Sequence, residues 1–94
     1  MALDRRNVEQ ALSGKLGMVL DEDRDHRFYR LVVNGKFVAQ TKVSTGARYK
    51  TLGHDLVKAM ARQLYVPTPF FRDLISCAKG RDDYLQHLSR EEMI

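Results

Sequence analysis

Asn34-Gly35 stands between two runs that can each form a strand, 26–33 and 36–43. Asparagine and glycine are the pair that most readily takes the positive φ angles of a type I′ turn, whose twist matches that of paired strands. A chain that must reverse through two residues commits to a β-hairpin, and the short loop sets its register. On that register Val33 faces Lys36, Val32 faces Phe37, Phe28 faces Thr41, and His26 faces Val43. One face then carries His26, Phe28, Arg30, Val32, Phe37, Ala39, Thr41 and Val43. The other carries Arg27, Tyr29, Leu31, Val33, Lys36, Val38, Gln40 and Lys42. The first has fewer charges and is expected to face the core, although the second also holds aliphatic residues and a tyrosine.

The flanking segments supply what such a hairpin needs to bury. Asp4 can cap a first helix, with Val8, Ala11, Leu12 and Leu16 at helical spacing and Gly14 and Gly17 ending it near Lys15. A short apolar run, 17–21, predicts a first strand, and the polar stretch 21–25 a loop. After the hairpin, Thr51 can cap a second helix with Leu52, Leu56, Ala59, Met60 and Leu64 on one face, stopped by Pro67. Thr68-Pro69 opens a third helix with the stripe Phe70, Phe71, Leu74, Ile75 and Ala78, ended by Gly80. Asp82 or Asp83 starts a last short helix through Tyr84, Leu85 and Leu88. The expected fold is α+β, in the order α-β-β-β-α-α-α. A three-stranded antiparallel sheet with helices on one face is the economical way to bury these stripes.

The length, 94 residues, suits one domain with one core. That domain, 1–94, divides into an α-β-β-β-α core over about 4–66 and a helical extension over 67–94. Apolar residues at 44% and charged residues at 30% place the chain among globular sequences. No apolar run approaches the ~20 residues of a membrane span, so no membrane partner is expected. The start of the chain turns polar at once, unlike a secretory signal. The single cysteine, Cys77, fits a reducing, cytoplasmic setting and reads as a small core residue. Sixteen Lys and Arg against twelve Asp and Glu give +4, compatible with nucleic acid or an acidic partner.

No phosphate-cradling glycine loop and no metal-ligand spacing of Cys and His is present, so no metal and no cofactor are expected. His54 and His87 read as solvated. His26 differs: it follows Asp25 and is flanked by Arg24 and Arg27. An imidazole there can take a proton from a ribose 2′-hydroxyl or protonate a leaving oxygen. A neighbouring guanidinium can hold the phosphate. The competing reading is a histidine that caps a strand end. Arg27, Lys36, Lys42, Arg48 and Lys50 gather on the hairpin and the loop after it, with Tyr29 and Tyr49 among them. Such a mix can track phosphates and stack on bases. It can equally be a sheet surface whose lysines discourage edge pairing.

Residues from about Val8 to Leu64 resemble the HicA toxin family, small proteins with a double-stranded-RNA-binding-domain-like fold. Arg24-Asp25-His26 stands where that family has a Gly-Ser-His segment, Phe28-Tyr29 follow as strand residues, and Lys50-Thr51-Leu52 stands where a Gly-Thr-Leu-like element opens the helix. The stretch 25–29, with Gly35-Lys36, 41–44, Gln63-Leu64, Cys77 and 83–85, is similar to a longer subgroup with extra C-terminal helices. Ser44-Thr45-Gly46 stands where that subgroup has Ser-His-Gly. The resemblance implies a metal-independent ribonuclease acting on messenger RNA and silenced by a HicB-type antitoxin, with His26 as the catalytic histidine. Arg24, Arg27, Lys36, Lys42, Arg48 and Lys50 are the expected nucleic-acid contacts. A non-catalytic module binding nucleic acid or protein through the same hairpin is the alternative, and self-association into a homo-oligomer stays open.

Overall fold

The computed structural model describes residues 3–22, 26–44 and 50–94. A two-residue strand, β1 (Leu3–Asp4), runs into helix α1 (Arg5–Gln10), which continues as a π-helical turn over Ala11–Lys15. Asp4 is the N-cap, its carboxylate accepting from the Arg6 and Asn7 amides at 2.8 and 3.4 Å. Then come β2 (Val19–Glu22), β3 (His26–Val33), β4 (Lys36–Ser44) and the short β5 (Thr51–Leu52). Three helices complete the chain: α2 (His54–Gln63), α3 (Thr68–Ile75) and α4 (Arg81–Arg90). The main sheet is antiparallel in the order β2-β3-β4, and β1 pairs with β5 in a separate two-stranded ladder. The α+β fold expected from the sequence is the fold observed, with β1 and β5 added.

The turn behaves as the dipeptide dictates: Asn34 and Gly35 take φ of 53° and 78°. Val33 pairs with Lys36 and Val32 with Phe37, as expected. The next pair is Leu31 with Ala39, which leaves Val38 as the extra residue of a β-bulge. Beyond it every partner moves by one. Phe28 faces Lys42 rather than Thr41, and His26 faces Ser44 rather than Val43. Side chains alternate with a period of two, so the slip brings Tyr29 and Leu31 to the side of Ala39, Thr41 and Val43. All five are buried. His26, Phe28, Arg30, Val32 and Phe37 lie on the other face, which corrects the expected core side of β3.

The core joins this inner face to Val8, Leu12 and Leu16 of the first helix, Val57, Met60 and Leu64 around α2, Phe71 and Leu74 of α3, and Tyr84 and Leu88 of α4. The hydroxyl of Thr41, the buried polar residue of this core, donates to Gln63 Oε1 at 2.6 Å. Tyr84 Oη donates to the Leu64 carbonyl at 3.0 Å, tying α4 to the end of α2. Gly17, at φ +64°, lets the chain turn from the first helix into β2 under Arg81, whose guanidinium donates to the Leu16 carbonyl.

Several boundaries differ from expectation. Thr51 does not cap α2. Thr51 and Leu52 pair with Asp4 and Leu3, so the helix starts later, after Gly53. The buried stripe of α2 is Val57, Met60, Ala61 and Leu64, while Leu56 and Ala59 are exposed. Pro67 occupies the N-cap of α3, so Thr68 is its first helical residue. That helix stops at Ile75, where the chain turns through Cys77 at φ 72° and Lys79 N–H reaches the Asp73 carbonyl at 3.0 Å. Gly80 instead caps α4, its amide donating to Asp83 Oδ2 at 2.9 Å. Cys77 is exposed and Ala78 with it, against the expectation of core positions. No helix among the described residues is long and apolar enough to cross a membrane.

Candidate functional site

The bulge determines which side chains the helices leave uncovered. On the outer face of the sheet, β2 presents Val19 and Asp21, β3 presents His26, Phe28, Arg30 and Val32, and β4 presents Phe37, Gln40, Lys42 and Ser44. Val19 is 55% exposed and Phe37 59%, so no helix among the described residues covers this face. Arg30 crosses all three strands: Nη1 donates to Asp21 Oδ2 at 2.8 Å and Nε to Gln40 Oε1 at 3.0 Å.

His26, the first residue of β3, is half-buried, its ring centroid 6.2 Å from that of Phe28 on the same face. Lys42 is opposite Phe28 and therefore diagonal to His26, and it is exposed. An imidazole, an aromatic ring and an ammonium group thus share one corner of the sheet. That combination can exchange a proton, offer a stacking surface and attract a phosphate.

Arg27 points the other way. Adjacent strand residues alternate, so its guanidinium passes to the helix side and meets Glu9 of α1 at 3.0 and 3.2 Å. Its Nε lies 3.4 Å from Glu22. Tyr29 Oη donates to Glu9 Oε1 at 2.8 Å, and Arg5 Nε stands 3.6 Å from Glu9 Oε2. The hydrogen bond and charge of Glu9 hold the Arg27 guanidinium still more firmly in its cationic form. Burial first, then the bond to Glu9, pushes the Tyr29 hydroxyl well above the ordinary phenol range. Arg27 is therefore a structural cation here, not one directed at the face of His26.

The other expected contacts are spread out. Lys36 is exposed beside the turn, at the far end of β4 from His26. Lys50 is exposed, and its carbonyl accepts from the Arg5 amide at 2.9 Å. With Asp4, Arg5 and Arg6 it surrounds a shallow cavity of about 290 Å³. Arg5 Nη1 also donates to the carbonyl of Ser44, the residue paired with His26. Arg5 and Arg6 were not expected near the hairpin; only the β1–β5 pairing brings the start of α1 to the end of β4. Arg24, Asp25, Thr45, Arg48 and Tyr49 lie outside the described residues.

The remaining histidines divide. His54 is exposed as expected. His87 is half-buried, 4.9 Å from the Phe70 ring, with Nε2 2.9 Å from the Tyr65 carbonyl oxygen, so its solvated reading is corrected. Among the described residues no three His, Cys, Asp or Glu side chains are grouped to hold a metal ion. No protein-family model, curated protein or solved structure matches this chain.

Proposed function

We propose that this chain is a HicA-like toxin, a metal-independent ribonuclease acting on messenger RNA and held in check by a HicB-type antitoxin. The observation that carries the reading is the position of His26, half-exposed on a sheet face that no helix covers, with Phe28 and Lys42 beside it. A histidine buried among the helices would be unable to reach a ribose. In this reading His26 moves the proton of the 2′-hydroxyl or of the leaving oxygen. Lys42 holds the phosphate, Phe28 offers a ring to an unpaired base, and Lys36, Lys50, Arg24 and Arg48 steer the strand.

The test is cleavage of a transcript by the purified chain in the presence of a chelator. His26→Ala should lower the rate by ~10²–10⁴-fold, the usual contribution of acid–base catalysis, with an unchanged circular dichroism spectrum. Production of the chain should arrest growth, and His26→Ala should relieve the arrest. A loss of thermal stability with unaltered cleavage would overturn the assignment.

One observation favours a second reading. Arg27, the cation next to His26 in sequence, is engaged by Glu9 on the opposite face. With Arg30 of that face held by Asp21, the phosphate then depends on Lys42 among its described cations, a set that serves binding more readily than turnover. In this alternative the same face holds RNA without cutting it. Affinity that falls steeply with salt, and less steeply after Lys42→Ala and Arg48→Ala, with no cleavage by either protein, would select it.

A further inference from the structure

The outer edge of β4 has no strand beside it among the described residues, and the end of β4 and α2 line a common hollow. Between them lies a groove of about 280 Å³ walled by Val43, Leu52, Leu56, Ala59 and Met60. A second hollow of about 200 Å³ adjoins it, sharing Lys42 and Gln63 and extending to Gln40 and Phe28. The first is mostly aliphatic, with Lys42, Ser44 and Gln63 completing its lining. The second is polar, with Lys42 as its charge. Among the described residues no carboxylate lines either one.

We propose that the free edge of β4 and these two hollows form a docking site for an extended acidic segment of a partner protein, which adds to the sheet as a further strand. Main-chain groups along an edge strand supply the hydrogen bonds of such an addition, and pockets spaced along the strand supply its specificity. Every second side chain of an added strand points to the same side. The segment that fits therefore places an aliphatic residue in the first hollow and a carboxylate, at an adjacent position and so on the other side, against Lys42.

Charge selects this occupant over a second copy of the chain. Described β4 carries Lys36 and Lys42 and no acidic residue. Antiparallel pairing of two β4 strands about Ala39 would set Lys36 against Lys42 twice, and directly opposed like charges are destabilising. Chemistry selects protein over RNA: Lys42 can meet a carboxylate or a phosphate, but the wall of Val43, Leu52, Leu56, Ala59 and Met60 takes an aliphatic side chain, which RNA does not carry. The site shares Lys42 and Phe28 with the ribonuclease reading but not His26, so the two are separable by His26→Ala.

The probe is a fluorescent ten-residue peptide of alternating glutamate and valine, titrated into the full chain, with the lysine–valine peptide as control. The glutamate peptide should bind saturably with a dissociation constant below about 1 mM and shift the amide resonances of residues 40–44. The lysine peptide should not bind. Ala59→Trp, which fills the groove from an exposed position of α2, should weaken binding at least tenfold. Lys42→Glu should transfer the preference to the lysine peptide. If the tryptophan variant misfolds, Leu56→Asp on the same wall carries the test, again weakening the acidic peptide. Equal binding of both peptides, no saturable binding, or indifference to both groove variants would overturn the proposal. So would a dimer, or an oligouridylate complex, that only the groove variants abolish. Loss of cleavage in His26→Ala with peptide binding intact would separate this site from the ribonuclease face.

Discussion

Glu9 shows how much one side chain can organise without being visible in the sequence. It is one helical acid among many, yet it receives Arg27, Tyr29 and Arg5 from two elements. Arg5 stands four residues before it, a helical spacing, but Arg27 and Tyr29 lie 18 and 20 residues away, so only the packed fold reveals the cluster. Glu9→Gln keeps an acceptor for the tyrosine and removes the charge that both arginines face. Because the Arg27 side chain is 37% exposed, solvent screening limits the loss to about 1 kcal/mol, read as a shift of the urea midpoint. Tyr29 and Tyr84 are both raised by burial, so their neutral forms are favoured in the fold. Below the unfolded tyrosine pKa, ~10, both states are protonated and this contribution is complete. Above it the unfolded chain ionises first and stability falls as pH rises toward the folded values. Alkaline unfolding should therefore begin above about pH 10. Tyr84→Phe should flatten that decline while lowering stability near neutrality by about 1 kcal/mol, since the Leu64 carbonyl loses its donor.

At the scale of elements, the hairpin was legible and its faces were not. Asn34-Gly35 announced the turn, and two flanking runs announced the strands. Val38 carries no such mark. A bulge is one extra residue in a run that still looks like an ordinary strand, and its effect is to exchange the two faces of β3, Tyr29 and Leu31 going to the core and His26, Phe28, Arg30 and Val32 to the surface. The two readings of the β3 face differed by only a few charges, so composition could not arbitrate. What decides is that Tyr29 and Leu31 fill the core over the helices, while His26, Phe28 and Arg30 tolerate water. Deleting Val38 tests this account. With the extra residue gone, Val32–Phe37 and Leu31–Ala39 become consecutive pairs of a regular hairpin, and Tyr29–Thr41 and Arg27–Val43 keep their partners. Ala39, Thr41 and Val43 stay on the side of Tyr29 and Leu31. The deletion should therefore preserve the cooperative thermal transition and the amide dispersion of the NMR spectrum. On an unbulged register the same deletion would turn those three residues away from their neighbours, so loss of both signals would overturn the account. The helix stripes at Val8–Leu16 and Phe71–Leu74 were legible because they follow a 3.6 period; Thr51 misled because its pairing partner lies nearly fifty residues earlier in the chain.

At the scale of the whole molecule, the question is whether 67–94 is an extension or part of what makes 4–66 fold. Phe71, Leu74, Tyr84 and Leu88 have no exposed surface and belong to one core with Val8, Leu12 and Leu31. Truncating one buried phenylalanine to alanine costs ~3–5 kcal/mol, and one buried leucine ~2–5. A domain of this size has only ~5–15 kcal/mol to lose. Phe71→Ala alone should lower the melting temperature by more than about 10 °C, by the usual scaling for small domains. Ending the chain after Val66 removes all four side chains at once and uncovers the helix-facing side of Leu12, Leu16 and Leu64. It also removes Arg81 from the Leu16 carbonyl and Tyr84 from that of Leu64. The shortened chain should show no cooperative melt and should bind a hydrophobic dye. Adding the 67–94 peptide in trans should restore a melt at high concentration, because the lost contacts are apolar and need no covalent link. A cooperative transition and dispersed amide spectrum from 1–66 by itself would instead make the last two helices a dispensable addition, and the core would have to be redrawn around the sheet, the first helix and α2.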